Sequence, residues 1–338
     1  MRLGVYNAIL HDRSLAKAIE VVRDLGLTGI EINSGGFLPP VHIEQIDEII
    51  ASPKAAADYL VNFEGTGVEI AGLNCNGNPL HPVKEIRTKH ADDIRRSIRA
   101  AAALGETRVV TMSGLPAGEP GGARPNWIVN AWNSAALDVI DYQFDIAVEF
   151  WREIDQLARD NGVKVALELH PQNVVFNPAT IRRLVEQGEL TNIGVELDAS
   201  HLFWQQMDPV AVTRDLGPLV FHAAAKDVRI NPAAAINGVL DNSFRKLRPD
   251  EPRTNLGGDE WANEWPQESA WDFVALGKGH DTEYWTEFLR ALYDVDPQMA
   301  VNIEHEDVSL GRIEGLEIAA SVLKTADAAR ESQTAKAH

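Results

Sequence analysis

Eight short runs rich in Val, Ile and Leu alternate with helical patterns along this chain, and that alternation narrows the available folds more than any other feature. The runs are Leu3–Tyr6, Gly29–Asn33, Val68–Leu73, Arg108–Met112, Val163–Glu168, Ile193–Asp198, Leu219–Ala223 and Ala300–Glu304. Each has the length of a strand and is apolar nearly throughout, as strands covered on both faces are. Helical patterns are expected between them at Ser14–Leu25, Pro53–Phe63, Val83–Leu104, Val139–Asn161 and Thr282–Tyr293, with Ser14 as an N-cap. Strand and helix in strict alternation build a parallel sheet, and eight repeats close it into a single (β/α)8 barrel. An open doubly wound sheet is the alternative, but no glycine-rich phosphate fingerprint marks a first crossover. The barrel is expected to occupy 1–325.

The last four strands carry polar residues where such barrels place their chemistry, at the carboxyl end. They read Val-Ala-Leu-Glu168-Leu-His170, Val-Glu-Leu-Asp198-Ala-Ser-His201, Val-Phe-His222-Ala-Ala-Ala-Lys226-Asp227 and Val-Asn-Ile-Glu304-His305-Glu306-Asp307. A carboxylate at the end of so apolar a run is costly unless a cation receives it. Glu168, Asp198, His222 and Glu304 are therefore expected to converge on one divalent ion. Three carboxylates and one imidazole suit Mn2+ or Mg2+ and leave room for a substrate's oxygens. His170 and Lys226 project from the same rim and are candidates to hold hydroxyl or oxyanion groups. Glu31 and His11 face the same side, while His305, Glu306 and Asp307 are expected to fix loops around the ligands.

Two segments interrupt the rhythm. Ser113–Ala136 reads as a long loop after the fourth strand, and Asn231–Leu276 as a longer insertion between strands seven and eight. The second carries Trp261, Trp265, Trp271 and Phe273 among acidic residues, a composition that fits a lid, a contact with another subunit, or a self-packed decoration. Gly277 and Gly279 read as a tight turn. From Ala326 to His338 the composition turns to Ala, Lys, Ser, Gln and Glu, which predicts a last helix fraying into a disordered tail.

Composition excludes several classes of function. Fifty acidic residues against thirty-one basic give a formal charge of −19, so the surface repels phosphodiester backbones and anionic lipid. No apolar stretch approaches the roughly 20 residues of a membrane span. The N-terminus enters a strand at once, without a secretion-signal pattern, and the lone Cys75 has no partner for an internal disulfide; a cytoplasmic protein is expected.

As an ordered series, Glu-Leu-His-Pro at 168–171, Asp-Ala-Ser-His at 198–201, His222 with Lys-Asp at 226–227, Gly-Lys-Gly-His at 277–280 and Glu-His-Glu-Asp at 304–307 resemble the xylose isomerase-like sugar isomerases and epimerases, whose barrels include an apurinic endonuclease branch. The resemblance implies that Glu168, Asp198, His222 and Glu304 bind one divalent ion, that His201 touches substrate and that Arg229 is a substrate contact, as basic residues after the His strand are in relatives. It implies an isomerase or epimerase acting on a sugar or sugar-like polyol, with Glu168 and Glu304 as both ligands and acid and base. The alternative is a metal-dependent lyase, either an inosose dehydratase or the catalytic subunit of a C-glycoside deglycosidase, with His170 or His201 as base. Homo-oligomerisation or a second subunit is compatible with either. An endonuclease needs more histidine ligands and a basic face than ten histidines and this charge provide. A non-catalytic polyol-binding protein differs from these only in turnover.

Overall fold

Eight parallel strands close into a ring in the order β1 (Arg2–Tyr6), β12 (Ala300–Ile303), β7 (Val220–Ala225), β6 (Ile193–Asp198), β5 (Lys164–Glu168), β4 (Arg108–Met112), β3 (Glu69–Asn74) and β2 (Gly29–Asn33). The structure, a computed structural model, describes residues 1–253, 255–257 and 260–337. This is a single (β/α)8 barrel. Helices α1 (Leu15–Asp24), α2 (Ile46–Ala51), α3 (Pro53–Leu60), α4 (Lys84–Leu104), α5 (Ser134–Asp160) and α6 (Pro178–Gly188) follow the first five strands. After β6 come α7 (Ala199–Trp204) and α8 (Pro209–Leu216). Then α10 (Thr282–Val295) precedes β12 and α11 (Arg312–Ala337) follows it. Local signals set these boundaries. Ser14 caps α1 by accepting from the Lys17 amide, and Asn177 and Thr180 form a reciprocal capping box at α6 with Pro178 in its first turn.

Two expectations need correcting. Helix α5 begins at Ser134, five residues before the expected start, because Asn133 accepts the Ala136 amide as N-cap, so the preceding loop is shorter than it reads. The expected disordered tail from Ala326 is helical through Ala337, while His338 lies outside the described residues. The physical reason is burial: Ala326 is fully covered, and Arg330 lays its guanidinium 4.4 Å from the Tyr293 ring centre and pairs with Asp327.

The insertion between β7 and β12 starts as β8 (Asp227–Ile230), passes α9 (Ala234–Asn237) and a ribbon of β9 (Asn255–Gly257) with β10 (Glu260–Trp261), and returns as β11 (Trp271–Val274) antiparallel to β8. Buried Asp227 anchors the return. One of its oxygens accepts the amides of Gly277, Gly279 and His280, each at 3.0 Å, while the other accepts the Val228 amide and the His280 Nδ1–H. Gly279 is required there, since a Cβ would lie 2.1 Å from the Val228 carbonyl oxygen. Trp271 stacks on Trp204 of α7 with ring centres 5.1 Å apart, and Phe273 meets His201 edge-on at 5.7 Å. The insertion thus packs on its own barrel and turns an aromatic wall toward the carboxyl rim.

Candidate active site

Two layers of polar side chains fill the barrel toward its carboxyl end, and strand register decides which residue enters which. In the β6–β7 pairing Glu196 lies opposite His222 and Asp198 opposite Ala224. Because side chains alternate with a period of two, Glu196 and His222 belong to the deeper layer and Asp198 to the one above.

The upper layer joins Glu168 at the end of β5, Asp198 at the end of β6 and Glu304 just past β12, whose carboxylate oxygens lie within 4.8 Å of one another. His201, in the first turn after Asp198, brings Nε2 to 3.4 Å from both Glu168 Oε1 and Asp198 Oδ2. Its Nδ1 accepts from the Trp204 indole N–H at 3.3 Å, so the neutral ring carries its proton on Nε2, facing the carboxylates. Burial, then the neighbouring His170, lowers the His201 pKa to about 3 and keeps the ring neutral. The His170 ring centre lies 4.2 Å from that of His201. Its Nδ1 donates to the Pro171 carbonyl at 2.6 Å, and its ring joins Glu168 and His201 in a group whose candidate ligand atoms lie within 4.8 Å of one another. Glu168 Oε2 accepts from Asn76 Nδ2 at 2.7 Å.

The carboxyl groups of this layer separate in proton affinity. Burial pushes Glu168 up, but His170, His201 and Lys226 outweigh it and hold the pKa down at about 2. Asp198 rises to about 7, mainly through burial and with help from Glu168 against the lowering effect of Lys226. Glu304 is pushed well above the usual carboxylate range, first by burial and then by Glu306, Glu168 and Asp198, despite Lys226. Lys226 is buried, with Nζ 2.9 Å from Glu306 Oε2, 3.4 Å from Glu304 Oε1 and 3.9 Å from Asp198 Oδ2. Desolvation would lower its pKa, but Glu304, Glu306 and Asp198 hold it well above the ordinary lysine value, as a fixed cation.

His222 is the main correction to the sequence reading. It does not join Glu168, Asp198 and Glu304 but sits in the deeper layer with Glu31 and Glu196. Its Nε2–H donates to Glu31 Oε2 at 2.9 Å, an oxygen that also accepts from Asn302 at 2.7 Å, while Asn74 donates to Oε1 at 2.7 Å. The cause is the two-residue repeat: β7 runs on through Ala225, and the position level with Asp198 is Ala224. Arg229 also misses the site. It is half exposed on β8 and pairs with Asp272 of β11 at 3.0 Å. His11 packs edge-on against His42 and belongs to none of the carboxylate groups. Asp307 fixes loops as expected, accepting the Ala275 and Ser309 amides.

Sequence reasoning passed over Asn76, Asn74, Glu196 and Asn302. Glu196 and Asn302 were visible as single polar residues inside the apolar runs of β6 and β12. Burial and then Glu31 push the Glu196 carboxyl well above the normal carboxylate range.

The chain belongs to the xylose isomerase-like TIM barrel family, whose model matches residues 19–328. Its relative YfiH of Bacillus subtilis (strain 168), an uncharacterized protein, is 33% identical over 305 residues, 89% of this chain and 91% of YfiH. Among solved structures it is similar to the probable 3-DHS dehydratase AsbF involved in petrobactin synthesis in Bacillus anthracis, with a TM-score of 0.63 and 16% identity over 96% of this chain and 99% of that one. The 3-keto-D-glucoside 4-epimerase YcjR of E. coli gives 0.61 and 14%, with the same coverage. At these identities the structural likeness establishes the fold. Among the described residues no helix is long and apolar enough to cross a membrane.

Proposed function

We propose that this protein is a metal-dependent isomerase or epimerase of a sugar or sugar-like polyol. The observation that carries the reading is the convergence of Glu168, Asp198 and Glu304 at the carboxyl rim with widely separated proton affinities, a pattern of paired acid and base.

The residues fit a divalent cation. Asp198 Oδ2 is buried without a hydrogen-bond partner, and burial first, then neighbouring carboxylates, raises Asp198 and Glu304, a cost that a dication would offset. Glu168, Asp198 and Glu304 would hold it, and hard oxygen donors match Mn2+ or Mg2+. A bound ion would supply Lewis-acid polarisation of substrate oxygens.

The chain's own groups account for the rest. Glu168, ionised and oriented by Asn76, takes a carbon-bound proton beside a substrate carbonyl. Glu304, pushed toward its protonated form by burial, returns a proton to the enediolate. The His201 Nε2–H donates to a developing oxyanion, and Phe273 and the tryptophans behind it exclude water from that side. The matching family and the epimerase among its structural neighbours support a sugar-modifying enzyme. Incubating metal-loaded protein with a panel of ketoses in D2O tests the reading: deuterium entering the carbon next to the carbonyl is expected, and its absence from every substrate would refute it.

Elimination remains the second reading because of His170. With Nδ1 tied to Pro171, Nε2 is the ring nitrogen left to take a proton from beside a leaving group, and the aromatic wall can accommodate a flat aglycone. Release of an aglycone from 3-oxo-glycosides, followed by ultraviolet absorbance, separates the two.

A further inference from the structure

Lys226 lies four residues after His222 and two after Ala224, on the same face of a strand that ends at Ala225. The β7 side of the carboxylate cluster is therefore furnished with an ammonium rather than a ligand. That ammonium is fixed from several directions, by Glu306, by Glu304, by Asp198 and by the Phe273 ring, whose centre is 4.3 Å from Nζ. Only 4% of the side chain is exposed, so it has no freedom to swing into solvent without breaking these contacts.

We propose that Lys226 is a resident counter-ion that competes with the divalent cation for this site and thereby keeps metal affinity low in the resting protein. The inference rests on the metal-binding reading above. Two of the three candidate ligands, Asp198 and Glu304, already have an oxygen within ion-pair distance of Nζ, at 3.9 and 3.4 Å. Two cations cannot both make full use of those lone pairs, and in a poorly solvated pocket their mutual repulsion is little screened. The competition also gives the site its ordinary resting charge balance. A buried triad of carboxylates without the ammonium would have to take up protons or a metal to remain buried. A lysine serving only as a substrate contact would leave metal affinity unchanged.

Calorimetric titration of Mn2+ into metal-free wild type, Lys226→Met and Lys226→Gln, without substrate, tests this. Both variants are expected to bind at least about tenfold more tightly than wild type, and Mn2+ is expected to raise their melting temperatures by more than it raises that of wild type. Adding Asp198→Asn to either variant is expected to abolish the gain, which locates the binding. If Lys226→Met fails to fold, Lys226→Gln carries the test, since it keeps nearly the length and some hydrogen bonding without the charge. Equal or weaker binding in the variants overturns the competition while leaving the metal reading in place. No binding by wild type or variants overturns both, and a gain that survives Asp198→Asn overturns the assignment to this site.

Discussion

Replacing Asp227 by Asn perturbs one carboxylate on which the neighbourhood of the site depends. Five donors converge on it: the amides of Gly277, Gly279 and His280 on one oxygen, and the Val228 amide with the His280 ring on the other. Asparagine offers one oxygen and an NH2 group. In its better orientation it keeps the three amides of the return loop and turns its own donors toward the other two. Each buried group left unpaired costs about 1–3 kcal/mol, and the retained bonds weaken without the charge, so a loss of about 4 kcal/mol is expected. That is a large part of the roughly 5–15 kcal/mol that holds a typical domain together. Urea unfolding followed by circular dichroism, read at unchanged m-value, measures it. A loss below about 1 kcal/mol would refute the claim that Asp227 fastens the insertion, because the buried Val228 amide would lose its acceptor and the return-loop amides their charged one.

Further expectations concern the site itself. Asp198→Asn is expected to lose the divalent ion, whereas His201→Ala keeps it and loses substrate affinity or turnover; metal analysis beside kinetics checks the pair, and normal occupancy in Asp198→Asn would contradict the ligand assignment. His222→Ala is expected to retain the ion but to lower stability by about 1–3 kcal/mol, since Glu31 loses a buried donor; loss of metal without loss of stability would return His222 to the ligand set. Metal binding is expected to weaken on acidification below about pH 7. Asp198, whose folded pKa is raised to about 7, and Glu304, which is also raised, must both release protons to coordinate, so affinity falls as pH drops through about 7 and protons appear in a weakly buffered titration; an affinity flat between pH 5 and 8 would contradict this.

The barrel was legible because its strands are apolar on both faces and end in side chains that such interiors do not tolerate alone. The same cue located Glu168, Asp198 and Glu304. It failed at His222 because the strand does not end there: Ala223, Ala224 and Ala225 follow, and three identical small residues carry no sign of which side chain faces inward. The hydrogen bond of His222 to Glu31 joins positions far apart in sequence, and nothing local announces it. Arg229 read as a substrate contact because Asp272, its partner across the β8–β11 ladder, stands at the far end of the insertion. At the C-terminus, a composition suited to solvent conceals a helix held by buried Ala326 and by Arg330, whose guanidinium covers the Tyr293 ring.

The division of labour between Glu168 and Glu304 is the centre of the account, and solvent deuterium exchange into substrate by Glu168→Gln and Glu304→Gln, at Mn2+ concentrations shown to saturate each, tests it most directly. With a ketose that the wild type converts, Glu168→Gln is expected to show neither exchange nor product, while Glu304→Gln still exchanges the substrate's carbon-bound hydrogen but forms little product. Exchange that persists in Glu168→Gln, or that vanishes in Glu304→Gln alone, would contradict the assignment of Glu168 as the base.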